Sequence, residues 1–114
     1  MTSAMPTYKP GDVVVVPFPF SDRDATKRRP ALVCSSSAFN STSQHLVLAM
    51  ITTAGHVQWP GDVRIRDRAS TGLPVPSIVR WKLFTLDRSL VLRSVGALSA
   101  RDRTTCRKRQ PVAL

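Results

Sequence analysis

A chain of 114 residues, 42% of them hydrophobic, is long enough for one core and too short for two, which predicts a single domain over residues 1–114. Seventeen Lys and Arg oppose seven acidic residues for a formal net charge of +10, a balance that favours a polyanionic partner through steering and counterion release. Every acid is an aspartate, so paired-glutamate hydrolysis and His-Glu zinc chemistry are excluded by inventory.

In chain order, Asp12–Phe18 is a β-branched run bounded by Pro10-Gly11 and Ser21-Asp22, and it reads as a buried strand. A polar loop, Ser21–Arg28, leads to a second strand over Ala31–Ser35, with Pro30 as its opening and Arg29 left where loop meets apolar β structure. An arginine held there by the scaffold and open to solvent suits a phosphate. A second polar loop covers Ser35–Gln44, and strands follow at Leu46–Thr52, Asp62–Ile65, Ser77–Leu83 and Leu90–Val95. Trp59-Pro60-Gly61-Asp62 is a turn signal, because proline presets φ and glycine accepts positive φ. Ser99-x-x-Asp102 resembles a capping box with Asp for the usual Glu and opens a short helix over Ala100–Arg109. That segment has few apolar residues and needs a docking partner to persist. Short strands and nine prolines argue for a barrel rather than a bundle.

Cys34 and Cys106 stand far apart beside no histidine, which fits reduced thiols in the cytoplasm better than a disulfide framework or a metal site. No apolar run approaches the length of a membrane span. Positive charge gathers in Lys27-Arg28-Arg29, in Arg64, Arg66 and Arg68, and from Arg101 to Arg109. Dispersed, such charge only keeps a small protein soluble; clustered, it marks sites for phosphates.

Four pieces in sequence resemble the MazF/PemK toxins of bacterial type II toxin–antitoxin systems. They are Gly11-Asp12-Val13, Arg29-Pro30-Ala31-Leu32-Val33, Ala49-Met50-Ile51-Thr52, and Ser77-Ile78-Val79-Arg80 with Thr85-Leu86-Asp87. The resemblance runs from about Lys9 to about Asp102. It implies an SH3-like β-barrel, mainly β, that forms a homodimer and needs no metal or cofactor. It also implies a sequence-specific endoribonuclease acting on single-stranded RNA, with a 2′,3′-cyclic phosphate and a 5′-hydroxyl as products. An acidic antitoxin would fill the RNA groove, and the complex of the two would bind DNA. Two rivals remain open: an SH3-like module that holds nucleic acid without cutting it, and a gyrase-inhibiting toxin on the same fold.

By the same resemblance Arg29 takes the place of the catalytic arginine and Thr52 that of the catalytic hydroxyl. Arginine presents a permanently charged fork to two phosphate oxygens, and a threonine hydroxyl donates to a hardening oxyanion. Thr53 points to the opposite face if the strand continues. Some relatives supply an acid from the strand before Thr85-Leu86-Asp87, but Val79-Arg80-Trp81-Lys82-Leu83 contains none. His56, just after Thr52, is the nominated proton carrier, with Asp22 and Asp24 as alternatives. The loop before Arg29 also departs from the family's Glu-Gln-Gly, reading Asp24-Ala25-Thr26-Lys27-Arg28. Lys27, Arg28, Thr53, Arg80 and Lys82 are the expected RNA contacts. Trp59 or Trp81 can stack a base, and Trp81 is assigned to an interface while Trp59 is left undecided.

Overall fold

A computed structural model describes residues 7–19, 27–55 and 57–114. Its elements are β1 (Asp12–Phe18), β2 (Lys27–Val33), α1 (Ser37–Thr42), β3 (His45–Thr53), β4 (Val63–Arg64), β5 (Ser77–Asp87), β6 (Arg93–Ala97) and α2 (Ala100–Arg109). The strands form one antiparallel sheet in the order β4-β5-β3-β2-β1-β6. The result is a curled half-barrel, as expected of an SH3-like sheet. Curling has a local cause. Register shifts break the β1–β6 ladder between Val13 and Val14 and the β3–β5 ladder between Ala49 and Met50, and such breaks bend a sheet and raise its twist.

Alternation along the strands separates two apolar clusters. One contains Val13, Leu32, Ala49, Ile51 and Val79, while the other contains Val14, Val16, Ala31, Leu46, Leu48 and Leu86. Successive β1 residues thus serve opposite faces, which is why its run is apolar throughout instead of alternating.

Several expected boundaries need correction. β2 starts at Lys27 instead of Ala31, with Pro30 inside it opposite Val15. The strand tolerates that proline because the ladder to β3 begins only at Ala31, so the missing N–H breaks no bond on that side. β5 continues past Leu83 to Asp87, since Thr85 and Leu86 still pair with Val47 and Leu46. β6 is Arg93–Ala97, later than the expected Leu90–Val95, because Arg88–Leu90 closes into a 3₁₀ turn whose Ser89 N–H donates to Asp87 at 2.9 Å. β3 and β4 shift by one residue or so at their ends. Ser35–Gln44 is no plain loop: it holds α1, capped where Phe39 N–H donates to Ser36 Oγ at 3.1 Å. Buried Asn40 then donates to the carbonyls of Tyr8 and Ser35 at 3.0 and 2.9 Å. Loop residues 20–26 lie outside the described residues.

α2 begins and ends where the sequence placed it. Ser99 caps it by accepting from Asp102 N–H at 3.2 Å. The second half of a capping box is not formed. Asp102, 1% exposed, instead accepts from Arg66 N–H at 3.1 Å to each oxygen and from Asp67 N–H at 2.9 Å. This carboxylate is how a polar helix docks on the end of β4, aided by buried Cys106 in the first cluster. Replacing Asp102 with Ala leaves two backbone N–H groups without an acceptor. We expect a loss of about 3 kcal/mol in urea unfolding; a loss below about 1 kcal/mol would show that the helix docks by other means.

Candidate functional site

The site lies at the end of the sheet where β2 enters and β3 leaves. Val16 pairs with Arg29, Pro17 with Arg28 and Phe18 with Lys27, and all three basic residues are exposed. The arginine guanidinium of residue 29 sits 5.5 Å from the Phe18 ring centroid, a cation–π contact that orients the head without neutralising it. The Arg29 side chain makes no hydrogen bond or ion pair to the described residues. The β2–β3 ladder runs from Val33↔Leu48 to Ala31↔Met50. Its register extended by two residues sets Arg29 opposite Thr52, where the strands part.

Thr52 pairs with Ile78 on β5 and is half-buried, while Thr53 pairs with Ser77, is exposed and belongs to the other face. The two threonines therefore divide as their alternation predicts. Arg80 stands opposite Met50, on the face of Thr52 and one diagonal step from it, a spacing of about 7–8 Å. His56, Asp22 and Asp24, the proposed proton carriers, lie outside the described residues.

Arg80 departs from its expected role. Its Nε and Nη2 donate to Asp62 Oδ1 and Oδ2 at 3.2 and 2.9 Å, and Nη2 also donates to the Val57 carbonyl at 2.8 Å. A guanidinium so engaged is a structural clamp more than an open phosphate contact. Asp62 in turn accepts from Trp59 N–H at 2.8 Å. The turn it closes has Trp59 carbonyl accepting from Asp62 N–H at 3.1 Å and Gly61 at φ +84°, the conformation that makes glycine necessary at that position of a type II turn. Hydrogen bonds from Arg80 are the largest cause holding the Asp62 carboxyl below its ordinary range, against a burial effect that pushes the other way. Saturated and fully ionised, Asp62 does not serve as a base near neutrality.

Trp59 stands over this clamp. The Arg80 guanidinium lies 4.5 Å and the Lys82 ammonium 5.4 Å from its ring. Trp81 is half-buried against the first cluster and its Nε1–H donates to the Gly61 carbonyl at 2.8 Å. The break between Ala49 and Met50 leaves Trp81 and Lys82 without partners on β3, so the kink in β5 builds this corner. Reading the sequence located the turn but missed its bond to Arg80, since a contact between residues 62 and 80 has no local signature.

The thiols are not part of the site. Cys34 and Cys106 are free and buried together in the first cluster, and burial pushes both thiols up to about 12, which keeps them from acting as thiolates. Among the described residues no group of three His, Cys, Asp or Glu is placed to hold a metal ion, and no helix is long and apolar enough to cross a membrane.

A six-stranded half-barrel with a short C-terminal helix and a basic mouth defines a toxin fold. The chain belongs to the family described as PemK-like, MazF-like toxin of type II toxin-antitoxin system, whose model matches residues 9–109. No curated sequence matches it. Among solved structures it is similar to an endoribonuclease in complex with its cognate antitoxin from a mycobacterial species, with 18% identity, TM-score 0.72, and 92% of this chain covering 90% of that one. It is also similar to MazF of the MazE-MazF complex from Deinococcus radiodurans, at 20% identity and TM-score 0.70 over 92% of each chain. A third likeness is the Mycobacterium tuberculosis toxin MazF-mt6, at 21% identity and TM-score 0.69 over 86% of this chain and 90% of that one.

The clamp has a pH signature. Because the folded Asp62 carboxyl is lowered, its contribution to stability is complete above the unfolded aspartate value of about 4 and is lost as pH falls through the folded value. Asp62→Asn should therefore destabilise the protein at pH 7, with a difference from the parent that shrinks below about pH 4. Denaturant melts at several pH values check this, and a difference independent of pH would mean that the charge of Asp62 is immaterial.

Proposed function

We propose that this toxin is an endoribonuclease that cleaves single-stranded RNA at a short sequence, with charge stabilisation supplied by Arg29 instead of a metal ion. The reading is supported by the β2–β3 register, which runs to Ala31↔Met50 and, continued by two residues, leads from Arg29 to Thr52, and by an Arg29 guanidinium that is exposed and has no hydrogen bond or ion pair among the described residues. An RNA 2′-oxygen attacks the adjacent phosphorus, the P–O2′ bond forms, and the P–O5′ bond breaks. The 2′-hydroxyl loses its proton to a base, and the departing 5′-oxygen gains one. Arg29 grips two nonbridging oxygens as charge collects on the phosphorane, and the Thr52 hydroxyl donates to one of them. Most of the barrier is lowered by this alignment and by charges fixed in advance. The products are a 2′,3′-cyclic phosphate and a 5′-hydroxyl.

His56 is the proposed proton carrier, with Asp22 and Asp24 as substitutes. Asp62 is set aside for this role because its oxygens are occupied by Arg80 and Trp59. Lys27 and Arg28, exposed beside Arg29, take flanking phosphates; Lys82, beside Trp59, and Thr53, on the other face of β3, are the remaining proposed RNA contacts. The chain acts in the cytoplasm as a homodimer whose two subunits share the groove, and an acidic antitoxin closes it by charge complementarity. The mycobacterial neighbour, described as an endoribonuclease bound to its cognate antitoxin, supports that pairing.

Incubation of the purified protein with long RNA in EDTA tests the reading. Cleavage is expected, with Arg29→Ala lower by about 10²–10³ in rate and unchanged by circular dichroism. A folded Arg29→Ala protein with parental cleavage would remove Arg29 from the chemistry, and RNA bound but uncut by the parent would favour a binding module. Intact RNA with arrested gyrase would point to the inhibitor.

For the proton carrier, His56→Gln should lower the rate and erase an inflection near neutral pH. A pH–rate profile identical to the parent's would pass the role to Asp22, Asp24 or solvent. Light scattering should give about twice the 12.5 kDa chain mass, and a monomer at every concentration would rule out a groove shared between subunits.

A further inference from the structure

Of the two tryptophans, one is committed to the protein's own packing. Trp81 lies against the first apolar cluster with its indole N–H bonded to Gly61. Trp59 is the opposite case: it is 44% exposed, yet its backbone is pinned on both sides, the N–H to Asp62 Oδ2 and the carbonyl to Asp62 N–H. A large ring held rigidly at the surface contributes little to folding, and its order has already been established before any ligand arrives.

We propose that Trp59 is a stacking platform for one unpaired base of the RNA, with Lys82 taking the phosphate beside that base. The proposal rests on the endoribonuclease reading and adds to it a subsite and the residue that forms it. Three observations and one chemical match converge on this. Arg80, fixed by Asp62 and the Val57 carbonyl, backs the ring at 4.5 Å. Lys82 is exposed, lies 5.4 Å from the same ring, and is free to swing toward an anion. The corner shares the sheet face of Thr52, one diagonal step away through Arg80. Finally, a ring bordered by two cations is matched by a ligand that offers a flat π-face and a negative charge one bond series apart, which describes a nucleotide of a single strand. Arg80 and Asp62 are positioning residues in this account, since they hold the ring and do not touch the base. Stacking accepts every base, so Trp59 supplies affinity across sequences, with purines favoured by their larger face.

The test uses the intact chain and a short single-stranded 2′-O-methyl RNA of mixed sequence, which lacks the nucleophile and is not cut. Trp59 fluorescence, isolated as the difference between the parent and Trp59→Phe, should be quenched on titration. Trp59→Ala should weaken binding by about 5- to 150-fold, while Trp59→Phe, which keeps a ring, should stay near the parent. In cleavage assays Trp59→Ala should raise KM with kcat little changed, as expected when a binding contact is lost equally from ground and transition states. If the parent binds the oligonucleotide but Trp59 fluorescence does not change and Trp59→Ala binds as tightly, the subsite is refuted and the endoribonuclease reading stands. If the parent binds no single strand at all, both fall together. A folded Trp59→Ala protein that becomes a monomer in light scattering would assign the ring to a subunit interface and overturn the proposal.

Discussion

The ladder between β3 and β5 is the constraint on which the rest of the molecule depends. It runs from His45↔Asp87 to Thr53↔Ser77 and skips two β5 residues between Ala49 and Met50. On one side of the break, Leu48, Leu46 and Leu86 complete the second apolar cluster. On the other side, Thr52, Arg80 and the Trp59 turn are brought to the mouth. The break matters because antiparallel register has a period of two, so inserting an even number of residues bends the strand yet returns its side chains to their proper faces.

Charge is divided by the same geometry. Arg80 and Arg101 are neutralised by Asp62 and Asp67 at 2.9 and 2.8 Å. The first pair is nearly buried and the second is open to water, so only the first acts as a fixed strut; exposed pairs contribute little. Lys27, Arg28 and Arg29 remain exposed at the opening of β2. The net positive charge of the chain is therefore not a uniform coat. Among the described residues, Asp62 and Asp67 compensate arginines that build structure, and no acid is paired with Lys27, Arg28 or Arg29.

The C-terminal helix shows how a polar segment is held without an apolar stripe. Asp102 accepts from the backbone of Arg66 and Asp67, Ser99 donates to Asp67 at 2.6 Å, and Cys106 fills the core beneath. One buried carboxylate thus satisfies amides at the end of β4 that have no strand partner. The helix packs against β4 and the first cluster, and its Arg109 donates to the Asp62 carbonyl at 3.5 Å.

What the sequence by itself determined is local. The β-branched run of β1, the Pro60-Gly61 turn, the Ser99 cap and the Arg29-Pro30 entry each follow from residue geometry over a few positions, and the order of these pieces pointed to the family. The extent of β5 and the start of β6 were hidden because strand ends depend on a partner's register, and α1 was hidden because a single capped turn has almost no periodicity. The partners of Arg80, the different fates of Trp59 and Trp81, and the β2–β3 register that runs from Val33↔Leu48 to Ala31↔Met50 were decided by tertiary structure alone. Each joins residues distant in the chain, and a pairing of that kind exists only once the sheet has set which strands are neighbours and which side chains share a face.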